Sequence, residues 1–189
     1  AVGLGAGVMA CYAGPDLRMT FQEISPAVIA SARRDFAFLA RCGEPAVELG
    51  DGRLLLAARA AASLDLIVLD AYSGGAVPVH TATVEAIGAY LDRLRPGGAL
   101  GFHVSNAIFD LAPFIAAAAA PHGAGAVLLE GVFGNTPSAW VAVSRDAALL
   151  ARLRAEGWVA VDPAGRRPWR DDFSDLLRAL RLWERVGLR

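Results

Sequence analysis

Between Leu64 and His80 the sequence reads L-D-L-I-V-L-D-A-Y-S-G-G-A-V-P-V-H, and few architectures accommodate that order. Leu64 to Leu69, apart from Asp65, is a run of branched apolar residues that stops on Asp70. A run without polar alternation suits a strand buried on both faces in a parallel sheet. A loop of small residues follows, then an amphipathic helix from about Ala82 to Leu94, so Asp70 stands at the carboxyl end of a strand. In open α/β sheets ligands bind at that edge. A carboxylate there is costly unless solvated or paired, so Asp70 is expected to face a polar cleft. The alternative is a cap on the following turn.

The flanking sequence repeats this alternation. Ala1-Val2-Gly3 reads as the end of a strand, and Gly3-Leu4-Gly5-Ala6-Gly7 leads into a short helix from Val8 to Ala13. Glycines let the backbone turn tightly and approach a ligand, and the helix start offers free N–H groups. The pattern G-x-G-x-G also suits an ordinary strand-to-helix turn. Arg18 to Ile24 reads as a second strand ending at Glu23, an acid placed to accept the two hydroxyls of a ribose or to lie solvated at a strand end. Ser25-Pro26 starts a helix through about Phe38, with Ser as cap and Pro at the first helical position. Ala46 to Leu49 is a third strand. In Gly50-Asp51-Gly52-Arg53, Asp51 can accept from an exocyclic adenine amine, cap a helix from Arg53 to Ala62, or do both.

After the stop Arg95-Pro96-Gly97-Gly98, Ala99 to Ser105 is a fifth strand ending in Asn106. His103 alternates with apolar neighbours and reads as a core or sheet-face histidine. His80 lies on the cleft side of its loop, where capping or packing is expected ahead of acid–base work. Ile108 to Ala120 reads as a helix. Ala126 to Glu130 and Trp140 to Ser144 read as strands six and seven, joined by a loop, Gly131 to Ala139, short enough for antiparallel neighbours. Asp146 to Glu156 and Leu176 to Val186 have helical character. Asp171-Asp172 is either a helix start favoured by the dipole or the acidic wall of a cation site. The sum is an α/β, Rossmann-like, doubly wound sheet of about seven strands with a final antiparallel strand.

Composition narrows the function classes. The 189 residues, 55% hydrophobic and 20% charged, suit one domain over residues 1–189 with a buried core. A net charge of -1 supplies no basic field for nucleic acid. Cys11 and Cys42 lack metal-ligand spacing and read as reduced thiols of a cytoplasmic protein, with no metal site. The longest uncharged run, Leu111 to Leu129, is broken by Pro113, Pro121 and glycines, and does not read as a membrane span. Opening on Ala1 at a strand end, the chain reads as a fragment lacking its amino-terminal part.

The glycine loop, the acid after strand two, G-D-G after strand three and the Asp after strand four together resemble a class I S-adenosylmethionine-binding domain. Longer stretches resemble the spermidine synthase family, in particular its bacterial branch often fused to membrane transporter-like segments. They are V-G-L-G-A-G (2–7), F-Q-E-I-S-P-A-V (21–28), G-D-G-R (50–53), L-D-A-Y-S (69–73), V-P-V-H-T-A-T (77–83), L-R-P-G-G (94–98), H-V-S-N (103–106) and W-R-D-D-F-S-D-L-L (169–177). P-V-H, H-V-S-N and D-D-F-S are the specific elements; the glycine loop is common to methyltransferases.

The resemblance implies a site for decarboxylated S-adenosylmethionine, or the intact form, with no metal. Gly3, Gly5, Gly7, Glu23, Ile24, Asp51, Gly52 and Asp70 would hold the nucleoside, with Glu23 on the ribose and Asp51 on the adenine amine. Asp70 would be catalytic, and Tyr72, His80, Asp171 and Asp172 would meet a diamine or polyamine. The implied reaction is aminopropyl transfer to a diamine such as putrescine. Methyl transfer, or a non-catalytic nucleoside-binding domain of a membrane-fused protein, are the alternatives. The family's second strand-four acid falls here on Ser73 or Gly75, so the usual proton acceptor is missing unless Asp70, Asp171 or Asp172 replaces it. Its amino-terminal β-hairpin domain, which helps dimerise, is not in this sequence. A homodimer and a tether to the inner membrane are further expectations from the resemblance.

Overall fold

The computed structural model describes residues 1–71, 78–106, 108–133, 135–163 and 165–181. Its strands are β1 (Thr20–Glu23), β2 (Ala46–Leu49), β3 (Leu64–Leu69), β4 (Leu94–His103), β5 (Gly125–Phe133), β6 (Thr136–Ser144) and β7 (Val159–Ala160). Helices α1 (Pro26–Asp35), α2 (Phe38–Arg41), α3 (Gly52–Ala57), α4 (Val84–Arg93), α5 (Ala112–Ala119) and α6 (Ala147–Ala155) alternate with them.

Val2 joins the two parts of the sheet through parallel bridges to Gln22 and to Leu69. The order across the sheet is therefore β2, β1, Val2, β3, β4, β6, β5, β7. β1–β2 and β3–β4 pair in parallel, whereas β6 is antiparallel to both β4 and β5. This is the expected doubly wound sheet with an antiparallel strand inserted beside β4, and β7 adds a short edge against β5.

Capping residues fix where helices begin, because the first N–H groups need acceptors from outside the helix. Ser25 Oγ accepts from Val28 N, Thr83 Oγ1 from Ala86 N, and Asp146 Oδ1 from Ala148 N and Leu149 N. The larger core unites α4 and α5 with β3, β4, β6 and the buried ring of Trp169, which stacks on Phe114 at 4.9 Å. A smaller one, Leu4, Ala10, Phe21, Ala32 and Leu39, lies beneath the glycine loop.

The structure corrects several expectations. Cys11 and Cys42 are bonded, with S–S 2.01 Å and Cα atoms 4.8 Å apart. Packing of the 3₁₀ turn Val8–Tyr12 against α2 brings the two together across a separation of 31 residues, which spacing alone does not reveal. β3 is buried only over Ile67–Leu69; Leu66 is 49% exposed, since Val2 reaches only the carboxyl-terminal half of the strand. The helix expected from Ile108 starts at Ala112, because Pro113 is tolerated only in a first turn and Asn106 Oδ1 holds the amides of Ile108 and Phe109 in a turn. Residues 131–139 are mostly strand: the β5–β6 pairing runs to Phe133 opposite Thr136. Asp171 and Asp172 begin no helix. They lie in a turn closed by the Arg170–Phe173 bridge; a 3₁₀ turn, Leu177–Ala179, follows, and residues 182–186 of the expected helix lie outside the described residues.

Candidate functional site

The carboxyl ends of β1, β2, Val2, β3 and β4 converge on one edge, and the acids read from the sequence stand there. Glu23, ending β1, is 9% exposed. Its Oε2 accepts from the Leu4 amide at 3.0 Å and its Oε1 from the Ser25 amide at 2.9 Å. One carboxylate thus ties the glycine loop to the turn entering α1, with lone pairs left for further donors. Ile24 beside it is 68% exposed. Leu49 at the end of β2 and Leu54 in α3 are exposed as well, leaving apolar surface next to two acids.

Asp51 is the cap of α3. Its Oδ1 accepts from Arg53 N at 2.8 Å and Leu54 N at 3.2 Å, while Oδ2 makes no hydrogen bond among the described residues. Both roles weighed for this residue are therefore compatible. Gly52 packs hard against the central strand: a Cβ there would lie 2.4 Å from Val2 Cγ1. Its small size serves helix–sheet packing.

The three loop glycines differ in what they do. Gly3 has φ +95° and passes so close to β3 that a Cβ would lie 2.2 Å from the Asp70 carbonyl oxygen. Gly7 has φ +85° and crowds Leu39. Gly5 has φ +52° and open space at its Cβ position. The amides of Gly5 and Ala6 bond to no protein acceptor among the described residues, whereas Gly3 N and Gly7 N donate to Gln22 and Leu4 carbonyls. Two unmatched donors in an exposed loop are what an anionic or carbonyl group on a ligand would meet.

Asp70 follows β3, its amide donating to the Val2 carbonyl at 2.9 Å. Its Oδ1 is 2.7 Å from His103 Nδ1, and His103 Nε2 is 2.6 Å from Ser105 Oγ. The His103 ring stacks on Trp140, its pairing partner in β6, at 4.8 Å. His103 thus lies on the sheet face as expected, stacked on Trp140, and it also bonds the Asp70 carboxylate, a contact its alternation with apolar neighbours does not reveal. A sequence signal existed, since H-V-S-N places His103 and Ser105 two apart on one face of an extended strand.

The remaining expected residues divide. Asp171 takes a bidentate bond from Arg53, Oδ1 to Nη1 at 2.8 Å and Oδ2 to Nη2 at 2.7 Å, and Thr83 Oγ1 donates to Oδ1 at 2.7 Å. The Arg53 guanidinium holds the Asp171 carboxyl below its ordinary range. This carboxylate is thus already neutralised and pins the tail to α3 and α4. Asp172 is exposed beside it. His80 lends its carbonyl to Arg53 Nη1 at 2.8 Å, and its side chain is exposed. Tyr72, Ser73 and Gly75 lie outside the described residues. No group of acids, histidines or cysteines suited to a metal occurs among the described residues, and none of their helices is long and apolar enough to cross a membrane.

No protein-family model matches the sequence, and no curated protein matches it. Solved structures do match in fold. A probable spermidine synthase from Corynebacterium glutamicum superposes with a TM-score of 0.69 at 22% identity, over 93% of this chain and 72% of that one. A spermidine synthase in complex with the transition-state analogue AdoDATO gives 0.59 at 13% identity, over 100% and 68%. Human methyltransferase-like protein 13, in complex with SAH, gives 0.58 at 18% identity, over 91% and 84%. The fold is the Rossmann-like one that these transferases share.

Proposed function

We propose that this domain binds an S-adenosylmethionine-type nucleoside and transfers an aminopropyl group from the decarboxylated form to a diamine such as putrescine. The reading is carried by the disposition of three acids: Glu23 ends β1, Asp51 lies just beyond β2 and Asp70 just beyond β3, at one sheet edge. Glu23, fixed by two backbone amides, retains lone pairs for the ribose hydroxyls. Asp51 Oδ2 is left for the adenine amine, and Ile24 supplies an apolar surface for the base. Asp70 lies beside the loop, where a cationic aminopropyl chain would be steered by a carboxylate. Likeness in fold to a spermidine synthase holding AdoDATO supports a ligand of this class.

A second reading is favoured by one observation. The unmatched amides of Gly5 and Ala6 suit the carboxylate of intact S-adenosylmethionine, which a methyltransferase would need to hold. Calorimetric titration with each form separates the two. Preference for the decarboxylated form, followed by putrescine turnover, supports aminopropyl transfer; preference for the intact form supports methyl transfer. Binding of neither refutes both. Asp70→Asn is expected to weaken binding of the decarboxylated form and remove turnover. A cytoplasmic location, dimerisation and attachment to a membrane segment belong to the same proposal and rest on the family resemblance.

A further inference from the structure

We propose that His103, with Asp70 as its counter-charge and Ser105 as the hydroxyl that delivers protons to it, is the proton acceptor of this site. The assignment rests on transfer to an amine, as proposed above. A diamine arrives largely protonated, and its nitrogen attacks only after losing a proton. At Ser73 and Gly75, where the resembling family carries its second acid, this chain offers no carboxylate.

The hydrogen-bond chain specifies the acceptor atom. A carboxylate only accepts, so His103 Nδ1 carries a hydrogen and donates it to Asp70 Oδ1, 2.7 Å away. In the neutral ring the lone pair then sits on Nε2, and the Ser105 hydroxyl, at 2.6 Å, donates to it. Ser105 Oγ accepts the Ala139 amide at 2.8 Å. Its hydrogen and one lone pair are thereby committed, which leaves one lone pair for the N–H of a substrate ammonium.

Among the described residues, the parts are held in place from two neighbouring strands. From β6, the Trp140 ring fixes the imidazole plane, and the Val104 amide bonds the Ala139 carbonyl at 2.8 Å, anchoring the extension of β4 that carries Ser105. From the end of β3, Asp70 is the charged group facing Nδ1. Ser105 Oγ, already accepting from a backbone amide, is suited to pass a proton and poorly suited to attack carbon.

The step balances as follows. The substrate ammonium gives a proton to Ser105 Oγ as that oxygen gives its own to His103 Nε2. The result is a neutral amine and an imidazolium bonded on both nitrogens, to Asp70 and to Ser105. The amine lone pair then forms the C–N bond while the C–S bond of the sulfonium breaks, its electron pair returning to sulfur as a neutral thioether. Asp70 stabilises the imidazolium without itself being protonated, the role a buried carboxylate has in a Ser-His-Asp constellation.

The test combines nitrogen NMR of the histidine rings with kinetics on decarboxylated S-adenosylmethionine and putrescine. At high pH His103 is expected as the Nδ1–H tautomer, taking its second proton at Nε2 on acidification. His103→Asn keeps a donor for Asp70 but cannot take a proton. It is expected to lose kcat by about 10²- to 10⁴-fold with KM little changed, and to lose the acid limb of the pH profile. A neutral ring protonated on Nε2, or one doubly protonated from pH 5 to 9, overturns the proposal. So does a folded His103→Asn variant with unchanged kcat and pH profile. If the wild-type protein binds nucleoside but turns over no amine, aminopropyl transfer falls while the NMR titration still decides whether His103 accepts the proton.

Discussion

Glu23→Gln isolates the ribose assignment, because glutamine keeps the shape of the side chain and removes only the charge and one acceptor. In the native protein both carboxylate oxygens accept from backbone amides, Leu4 N at 3.0 Å and Ser25 N at 2.9 Å. The amide oxygen of glutamine can serve one of these donors. Its NH₂ group must then face the other, donor against donor. The Leu4 bond is buried, and an unpaired buried amide costs about 1–3 kcal/mol. For a chain of this size each kcal/mol lowers the melting midpoint by about 2–4 °C. Nucleoside binding loses more. A hydrogen bond to a charged group contributes about 1.5–3 kcal/mol, so losing one bond to the ribose weakens Kd about 10- to 100-fold. Thermal denaturation and calorimetric titration on the same preparation read the two effects separately. A variant that melts lower yet binds the nucleoside within twofold of wild type would refute the ribose role and leave Glu23 as a structural tie.

Three further outcomes are expected. The Cys11→Ser/Cys42→Ser variant should lose about 3.5–4 kcal/mol in denaturant unfolding, from release of the 31-residue separation the bond closes, and added reductant should leave it unchanged while destabilising wild type. The Tyr90 hydroxyl is fully buried without a hydrogen-bond partner among the described residues, and burial keeps the phenol neutral by raising its pKa; Tyr90→Phe should therefore stabilise the fold by about 1 kcal/mol in the same measurement. Asp171 titrates below its ordinary value because of Arg53, so the clamp's contribution is complete above pH 3.8 and is lost as pH falls through the depressed value. The pair is half-exposed, so that contribution is at most about 1 kcal/mol. Arg53→Met should flatten the acid limb of the stability curve, and an unchanged limb would exclude the clamp as its source.

What was legible in the sequence was local. Ser25-Pro26 announces α1 because capping and the fixed φ of proline act within four residues. Ala46–Leu49 and Leu64–Leu69 declare themselves as short apolar runs, and strand ends place Glu23, Asp51 and Asp70 on one edge whatever the details of packing. The glycine loop was recognisable by composition, although its residues proved to have distinct duties, which depend on what each approaches. Gly3 meets Asp70 and Gly7 meets Leu39, and neither neighbour is near in the chain.

Tertiary structure alone decided how charges and sulfurs pair. His103 reads as a sheet residue and is one, but only the alignment of β3 and β4 sets it against Asp70, 33 positions away. Asp171 looked available to a cation until the tail folded back and Arg53, 118 positions away, neutralised it. The cysteines looked free until α2 packed beneath the glycine loop. The order of strands and helices follows from hydrophobic periodicity and capping, which are short-range. Protonation, neutralisation and cross-linking depend on approaches of a few ångströms between distant segments, and those exist only once the sheet and its helices have packed.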